Sequence, residues 1–167
     1  MIKIKTPISV EDIQGLKVGD MIEISGHIFT GRDAVLPKVV SLIKEEELGK
    51  YGIDLEGSII FHTAVSPAGV GPTSSNKYDI ETSIPSLSKA GVRIHLGKGG
   101  LSVETKRALE ENNSLYAVIP PVTALLQSKL IKQEVKAFPE EGMEAFHLLE
   151  VKDFPAIVAI AHGKSIY

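Results

Sequence analysis

The order of hydrophobic and polar positions predicts strands at both ends of this chain and alternating strands and helices in its middle. Ile2 and Ile4 alternate with lysines, as in a half-exposed edge strand. Gly15 and Gly19 lie in a turn-rich stretch, and Gly26 breaks an alternating run over residues 21–30 into two strands. Further strands are predicted at residues 58–65, 92–96, 115–119, 131–138, 146–151 and 156–161.

Helices are predicted where apolar residues recur at helical spacing. The first begins near Asp33, because Pro37 is tolerated only in a first turn, and it ends at Leu48-Gly49. Ser102 is the expected N-cap of a helix over residues 103–111. Two more are predicted, a short one over 84–90 and one that Pro120-Pro121 opens and that runs to Leu130. This order predicts one α/β domain over residues 1–167, with parallel strands and added antiparallel ones.

Composition and charge narrow the function classes. The 167 residues include 43% hydrophobic and 23% charged positions and carry a formal net charge of −3, so we expect neither nucleic acid nor a membrane as a partner. There is no cysteine, which excludes disulfides and any iron–sulfur cluster or zinc thiolate site held by this chain alone. The first residues lack the continuous apolar run of a signal peptide, so we expect a cytoplasmic protein.

Three predicted strand ends combine glycine with one long cation just before a predicted helix. They are Thr30-Gly31-Arg32-Asp33, the nine residues GPTSSNKYD at 71–79, and Gly97-Lys98-Gly99-Gly100. Glycine lets backbone approach a ligand, and helix N-termini favour anions. If right-handed crossovers bring these ends to the same edge of one sheet, they form a pocket for a dianion.

The residue types suggest a role for each side chain in such a pocket. Arg32 would grip one carboxylate with two parallel hydrogen bonds, while Lys98 and Lys77 would supply compact positive charges. Thr73 and Ser74 would hydrogen-bond the middle of the ligand. Each motif also has a simpler interpretation: the glycine turns as solvated loops, and Arg32 as the partner of Asp33 in an ion pair at a helix start.

Several other sites are excluded or disfavoured by spacing. The glycine turns match neither a Walker loop nor a dinucleotide fingerprint, and no nucleophile elbow is present. The five histidines show no paired metal-ligand spacing, so no metal site is expected. His62 and His95 occupy strand positions and are predicted to be packed and hydrogen-bonded.

Five segments, taken in order, resemble the β subunit or C-terminal domain of class I, iron–sulfur-dependent fumarate hydratases and L-tartrate dehydratases. The resemblance covers nearly the whole chain. The segments are TGRDA at 30–34, GPTSSNKYD at 71–79, GKGG at 97–100, EGMEAFHLLEVKDFPAIVAI at 141–160 and GKSIY at 163–167. The resemblance implies a swivelling β/β/α fold. It also implies that the chain is one subunit of a hydro-lyase that interconverts an unsaturated dicarboxylate and its hydroxy acid, with fumarate and malate as the default pair.

The resemblance also implies a division of labour between two chains. A separate, cysteine-bearing α subunit would hold a four-iron, four-sulfur cluster that acts as a Lewis acid on the hydroxy acid. Arg32, Lys98, Lys77 and Ser74 then correspond to substrate-binding residues, and Thr73 to the threonine assigned to proton abstraction. A threonine hydroxyl is a weak base, so that role requires activation by a neighbour.

The chain departs from the family pattern at several positions. Lys77 replaces an arginine, Leu36 a histidine, Pro120-Pro121 a pair of glycines, and His162 an acidic residue near the C-terminal glycine. These changes bear on substrate and activity more than on fold. Two alternatives therefore remain open: a tartrate-type dehydratase subunit, and a non-catalytic dicarboxylate-binding or assembly module.

Overall fold

The fold is seen in a computed structural model that describes residues 1–66, 69–73, 77–119, 126 and 128–167, with side chains described outside residues 66–80, 120–125 and 127. Within these ranges strands and helices alternate through the middle of the chain. The strands are β1 (Ile2–Lys5), β2 (Met21–Thr30), β3 (Ile59–Phe61), β4 (Thr63–Ser66), β5 (Gly69–Thr73), β6 (Ile94–Gly97), β7 (Leu115–Val118), β8 (Leu130–Ala137), β9 (Phe146–Ala161) and β10 (Lys164–Ser165). The α-helices are α1 (Val10–Gln14), α2 (Leu36–Lys44), α3 (Lys77–Lys89) and α4 (Val103–Glu111), and 3₁₀ helices occupy Leu48–Tyr51 and Pro139–Glu144.

The main sheet of the described chain closes into a ring. β2, β3, β6 and β7 lie side by side in parallel. β9 runs antiparallel to β7 and also antiparallel to β2, which joins the two ends of the row. β1, β8 and β10 add to this ring at β2 and β9. The predicted α/β class with mixed strand directions is therefore confirmed.

Alternate residues of every ring strand fill the ring interior. One buried cluster draws on all five strands, with Ile24 of β2, Phe61 of β3, Leu96 of β6, Ala117 of β7 and Phe154 of β9 among its members. Two further clusters lie where the helices pack against the sheet, one under α2 and one between α3, α4 and β7. Alternating burial of this kind follows from the two-residue period of a strand.

Several predicted elements differ from the observed ones. The run over residues 21–30, predicted as two strands divided at Gly26, is one strand, β2, with an irregularity in its pairing at that point. The turn-rich stretch through Gly15 contains the five-residue helix α1, whose capping box joins Ser9 and Asp12. The predicted strand over 58–65 is two strands, β3 and β4, and the predicted turn that begins at Gly71 starts within strand β5. The predicted strands 146–151 and 156–161 form one strand, β9.

The predicted helices agree with the observed ones to different degrees. Helix α4 spans Val103–Glu111, and the side chain of Ser102 accepts a hydrogen bond from the Thr105 backbone. Helix α2 has Pro37 in its first turn as predicted, but it begins at Leu36 rather than near Asp33. It ends at Lys44, before the predicted Leu48-Gly49, which begins a separate 3₁₀ helix. Helix α3 is longer than the predicted 84–90 and begins at Lys77. The predicted opening of a helix by Pro120-Pro121 lies outside the described residues.

Replacing Gly91 by alanine should lower the free energy of unfolding by about 2–3 kcal/mol. Gly91 has φ +117°, and an added Cβ would lie 2.7 Å from Glu56 Cα. Its carbonyl also accepts the Gly57 N–H, which ties the turn before β3 to the turn before β6. Gly49→Ala is the matched control, because no atom lies within 4 Å of its added Cβ. Urea titrations followed by circular dichroism measure both variants; equal midpoints would contradict the expectation.

Candidate functional site

The ends of three parallel strands form one edge of the sheet, which we call the strand-end edge. The last residue of β2, Thr30, pairs with Phe61, and Phe61 pairs with Leu96 of β6. Beyond this row the Gly31 N–H donates to Phe61 O at 3.1 Å, and the His62 N–H donates to Leu96 O at 2.9 Å. The strand-end edge therefore consists of the residues that follow these strands.

Two of the predicted anion-binding cations lie at this edge. Arg32 follows β2 after one glycine, and Lys98 follows β6 directly. β3 lies between the two strands, so their backbones are about 10 Å apart at the usual strand spacing. The sequence-based expectation that these two motifs share one sheet edge agrees with this topology.

Arg32 is held by a carboxylate that the sequence reasoning missed. Its Nε lies 2.6 Å from Glu144 Oε1 and 2.7 Å from Oε2, and its Nη2 lies 2.6 Å from Oε1. Both side chains are about one-quarter exposed. Glu144 reaches Arg32 because β9 begins beside the end of β2, where His147 pairs with Thr30. The ion pair fixes the plane of the guanidinium at the strand-end edge.

Gly31 and Leu36 show how tightly helix α2 packs beneath Arg32. A Cβ at Gly31 would lie 2.8 Å from Val35 Cγ1 and 3.1 Å from Leu36 Cδ2. Leu36 is fully buried in the cluster under α2. Where the family pattern has histidine, this chain therefore has a core residue that packs against Gly31.

The middle motif, residues 71–79, is divided between a strand and a helix. Thr73 ends β5, where its Cα pairs with that of Thr63 in β4, and Lys77 begins α3. The side chains of Thr73 and Lys77 lie outside the described residues, as does all of Ser74. The structure thus describes the backbone that carries the first two, and their predicted roles stay predictions.

Helix α3 is joined to the loop that follows Lys98. The Glu81 carboxylate accepts a hydrogen bond from the backbone N–H of Ser102, the N-cap of α4. Lys77 lies one helical turn before Glu81, so the start of α3 lies near this loop. Lys98 itself is exposed, and no hydrogen bond or ion pair joins it to the described part of the chain. Its ammonium is available to an anion from outside.

A buried pair of histidines lies beneath the strand-end edge. His62 Nε2 lies 3.1 Å from His95 Nδ1, and His95 Nε2 lies 2.9 Å from the Ser88 hydroxyl of α3. All three side chains are buried. Burial lowers the pKa of His62 to about 4, and burial together with the charge of His62 lowers the pKa of His95 well below its usual value. Both rings are therefore neutral near pH 7, and the prediction that they are packed and hydrogen-bonded is confirmed.

His162 lies away from this site. The end of β9 runs past the beginning of β7, because Ile160 pairs with Tyr116 and Ile157 with Val118. His162 follows β9 at that opposite edge of the sheet, where its Nε2 lies 2.7 Å from Leu16 O. The substitution at His162 therefore does not alter the strand-end edge.

The described residues offer no set of ligands for an iron–sulfur cluster or another metal ion. The sequence has no cysteine. Within the described ranges, histidines and carboxylates form no group of three or more that would hold a metal ion. Among the described helices, none is long and apolar enough to cross a bilayer.

Known proteins similar to this chain include dehydratase subunits and a fumarate hydratase. The putative L(+)-tartrate dehydratase subunit beta of Methanocaldococcus jannaschii is 34% identical over 94% of this chain and 86% of its own length. The L(+)-tartrate dehydratase subunit beta of Escherichia coli K12 is 30% identical over 96% and 84%. The putative fumarate hydratase class I of Geobacillus stearothermophilus is 32% identical over the whole chain, which spans 34% of that protein. These relatives are hydro-lyases by name, as the sequence predicted.

The chain itself belongs to the family described as Fumarase C-terminus, whose profile matches residues 1–167. The resemblance drawn from the five sequence motifs is therefore confirmed.

Proposed function

We propose that this chain is the β subunit of a hydro-lyase that reversibly hydrates an unsaturated dicarboxylate, with fumarate and malate as the default pair. The observation that carries the proposal is the strand-end edge, where Arg32 and Lys98 follow strands two positions apart in one parallel row. Two strand ends about 10 Å apart, each followed by a cation, suit a ligand with a carboxylate at each end. Membership in the Fumarase C-terminus family supports the same reaction class.

Each residue has a separate task in the proposed site. Arg32 binds one carboxylate, and its pairing with Glu144 keeps the guanidinium from rotating away. Lys98 binds the other carboxylate, with help from Lys77 at the start of α3. Thr73 transfers the proton at the carbon beside a carboxylate, and Ser74 hydrogen-bonds the substrate. Placing these groups before reaction removes much of the entropic cost of bringing them together.

The proposed site is half of a complete one. This chain lacks cysteine, so we assign the four-iron, four-sulfur cluster to a cysteine-bearing α subunit that assembles with it. The Geobacillus relative supports this assignment. The present chain spans only about one-third of that polypeptide, so the rest of it has room for a cluster-bearing part. We derive no step through the cluster from the residues of this chain.

Reconstitution tests this proposal directly. The chain is co-expressed under anaerobic conditions with a candidate cysteine-bearing α subunit, and the complex is assayed with fumarate, malate, L-tartrate and methylated analogues. Hydration or dehydration that needs both chains is the expected result. Inactivity of a complex with an intact cluster toward every dicarboxylate would refute the proposal.

A tartrate-type dehydratase is the second candidate, and it is favoured by the names of the Methanocaldococcus and Escherichia relatives. The same substrate panel separates the two, because a tartrate dehydratase should turn over L-tartrate faster than malate. The non-catalytic alternative makes a different prediction: dicarboxylate should bind the chain alone, measured by calorimetry, without turnover in the complex.

A further inference from the structure

A cavity of about 280 Å³, which we call the seam cavity, lies beside β2 and away from the strand-end edge. Along one side of β2, β1 pairs with residues 22–25 and β3 with residues 29–30, and the cavity lies at the seam between these two neighbours. Thr6, which follows β1, and Ser58, which precedes β3, both line it. The strand-end edge lies beyond Phe61, at the opposite end of β3. All lining residues belong to the described part of the chain.

One wall of the seam cavity is apolar. Phe29 of β2 and Leu148 of β9 form a cross-strand pair there. Phe29 is 6% exposed, and its ring stacks on Phe146 with centroids 4.9 Å apart. The stacking holds the ring in place, so this wall offers a fixed apolar surface to an alkyl group.

A cation reaches the seam cavity because of a bulge in β8. Val135 pairs with His147 and Ala137 with the adjacent Phe146, so Lys136 is the additional residue of the bulge. Bulges re-aim side chains, and Lys136 lines the cavity with its Nζ 3.6 Å from the position of a Cβ on Gly52. Lys136 is half-buried, and no hydrogen bond or ion pair joins its ammonium to the described residues.

Asp54 supplies a negative charge to the same cavity. Its Oδ1 accepts the Glu56 N–H at 3.0 Å, which fixes the carboxylate in a turn, and its Oδ2 has no partner in the described chain. Glu56 also lines the cavity, but Arg93 Nη2 lies 3.0 Å from its Oε1 and balances its charge. The seam cavity therefore presents one cation and one anion, Lys136 and Asp54, that no described ion pair neutralises.

Two hydroxyls add hydrogen-bond donors. Thr6 Oγ1 accepts the His27 N–H at 2.7 Å, so its own hydrogen remains for another acceptor. Ser58 is 7% exposed, and its buried hydroxyl has no partner among the described residues. An unpaired buried hydroxyl is unfavourable, and rotation about the single χ1 bond of Ser58 lets it donate to a ligand in the cavity.

We propose that the seam cavity binds a small zwitterion, an α-amino acid with an apolar side chain. The ligand carboxylate pairs with Lys136 and accepts from the two hydroxyls, the ligand ammonium pairs with Asp54, and the alkyl group packs on Phe29 and Leu148. A dicarboxylate is disfavoured here, because Asp54 would repel its second carboxylate. The volume lies just below the range of about 300–1,000 Å³ that suits drug-sized ligands, so a smaller molecule is expected. This site is independent of the proposed hydro-lyase function.

Three matched ligands test which charges the seam cavity recognises. The isolated, nitrogen-15-labelled chain is titrated with L-leucine, with 4-methylpentanoate, which lacks the ammonium, and with 3-methylbutylamine, which lacks the carboxylate. L-Leucine should shift the amide resonances of Gly52, Gly57 and Ser58 with a dissociation constant of roughly 1 mM. Each analogue leaves one charge of the cavity unpaired, so each should bind about 10-fold more weakly.

Two substitutions assign the charges to their residues. Lys136→Ala should weaken L-leucine binding about 10-fold and abolish its advantage over 3-methylbutylamine, whereas Asp54→Asn should abolish its advantage over 4-methylpentanoate. Lys152→Ala is the control, because Lys152 is exposed on β9 and does not line the cavity; it should bind L-leucine as the wild type does. Absence of shifts at the cavity residues up to about 20 mM L-leucine, equal binding of all three ligands, or wild-type affinity in Lys136→Ala would overturn the proposal.

Discussion

Replacing Arg32 by alanine should lower kcat/KM of the reconstituted enzyme about 10³-fold. In the proposed site the guanidinium binds one substrate carboxylate, and Glu144, which accepts from its Nε, fixes its orientation. Removing it takes away the positive charge and the fixed geometry together. It also leaves Glu144 as an unpaired carboxylate beside the substrate, which adds repulsion.

Arg32→Lys separates charge from geometry. The lysine keeps the positive charge but cannot make two parallel hydrogen bonds. We therefore expect an intermediate loss of activity and a KM higher than that of the wild type. The matched control is Lys38→Ala. Lys38 pairs with Glu141 and so joins helix α2 to the same 3₁₀ helix, Pro139–Glu144, that Arg32 contacts. Its removal weakens the same structural connection without touching the proposed site.

The comparison of these two ion pairs decides how Arg32 acts. If Lys38→Ala lost as much activity as Arg32→Ala, the role of Arg32 would be to anchor the 3₁₀ helix. If Arg32→Ala kept full activity, Arg32 would not be a substrate ligand. Thermal unfolding of each variant shows whether the losses come from the fold. We expect Arg32→Ala to remain folded, because the pair is partly exposed and such pairs contribute little to stability.

Elements with local signals were predicted well from the sequence. The α4 boundaries follow from the Ser102 cap, and the start of α2 follows from Pro37. The short helix α1 was missed, although the Ser9–Asp12 capping box is a local signal that would have indicated it. A five-residue helix has too little hydrophobic periodicity to be recognised by pattern alone.

Elements that depend on distant contacts were predicted less well. β9 was divided in two because charged residues interrupt its pattern at Lys152-Asp153. In the structure Asp153 has φ +53°, and its N–H donates to the Ser25 hydroxyl, beside the irregularity at Gly26 in β2. Strands β2 and β9 therefore stay paired on both sides of these irregularities. The β4–β5 hairpin was missed for a similar reason, since glycine and proline in β5 resemble a turn.

The parts of the candidate site have local sequence signals, whereas its internal contacts have none. Glycine and a cation after a strand form a local motif, and the parallel row of β2, β3 and β6 puts two such motifs at one edge. Glu144 is 112 residues from Arg32, and His95 is 33 residues from His62. No spacing rule in a single sequence identifies such pairs, because they arise from the closure of the sheet.

Lowering the pH below about 6.5 should destabilise the folded chain steeply, and the buried histidines are the cause. Burial holds the pKa of His62 at about 4 and lowers the pKa of His95 and of His147. In the unfolded chain histidines take up protons near pH 6.5. Between the two values the unfolded state binds more protons, so the free energy of unfolding falls as the pH falls.

The lowered pKa of His62 gives the approximate size of this loss in the free energy of unfolding. A difference from 6.5 to about 4 corresponds to roughly 3 kcal/mol lost by pH 4, and none of it is lost above pH 6.5. Urea titrations of the isolated chain between pH 4 and pH 8 measure it. His62→Gln should flatten the slope below pH 6.5, whereas replacement of the exposed His27 by glutamine should leave it unchanged. An unaltered slope in His62→Gln would show that this buried pair does not set the acid limit.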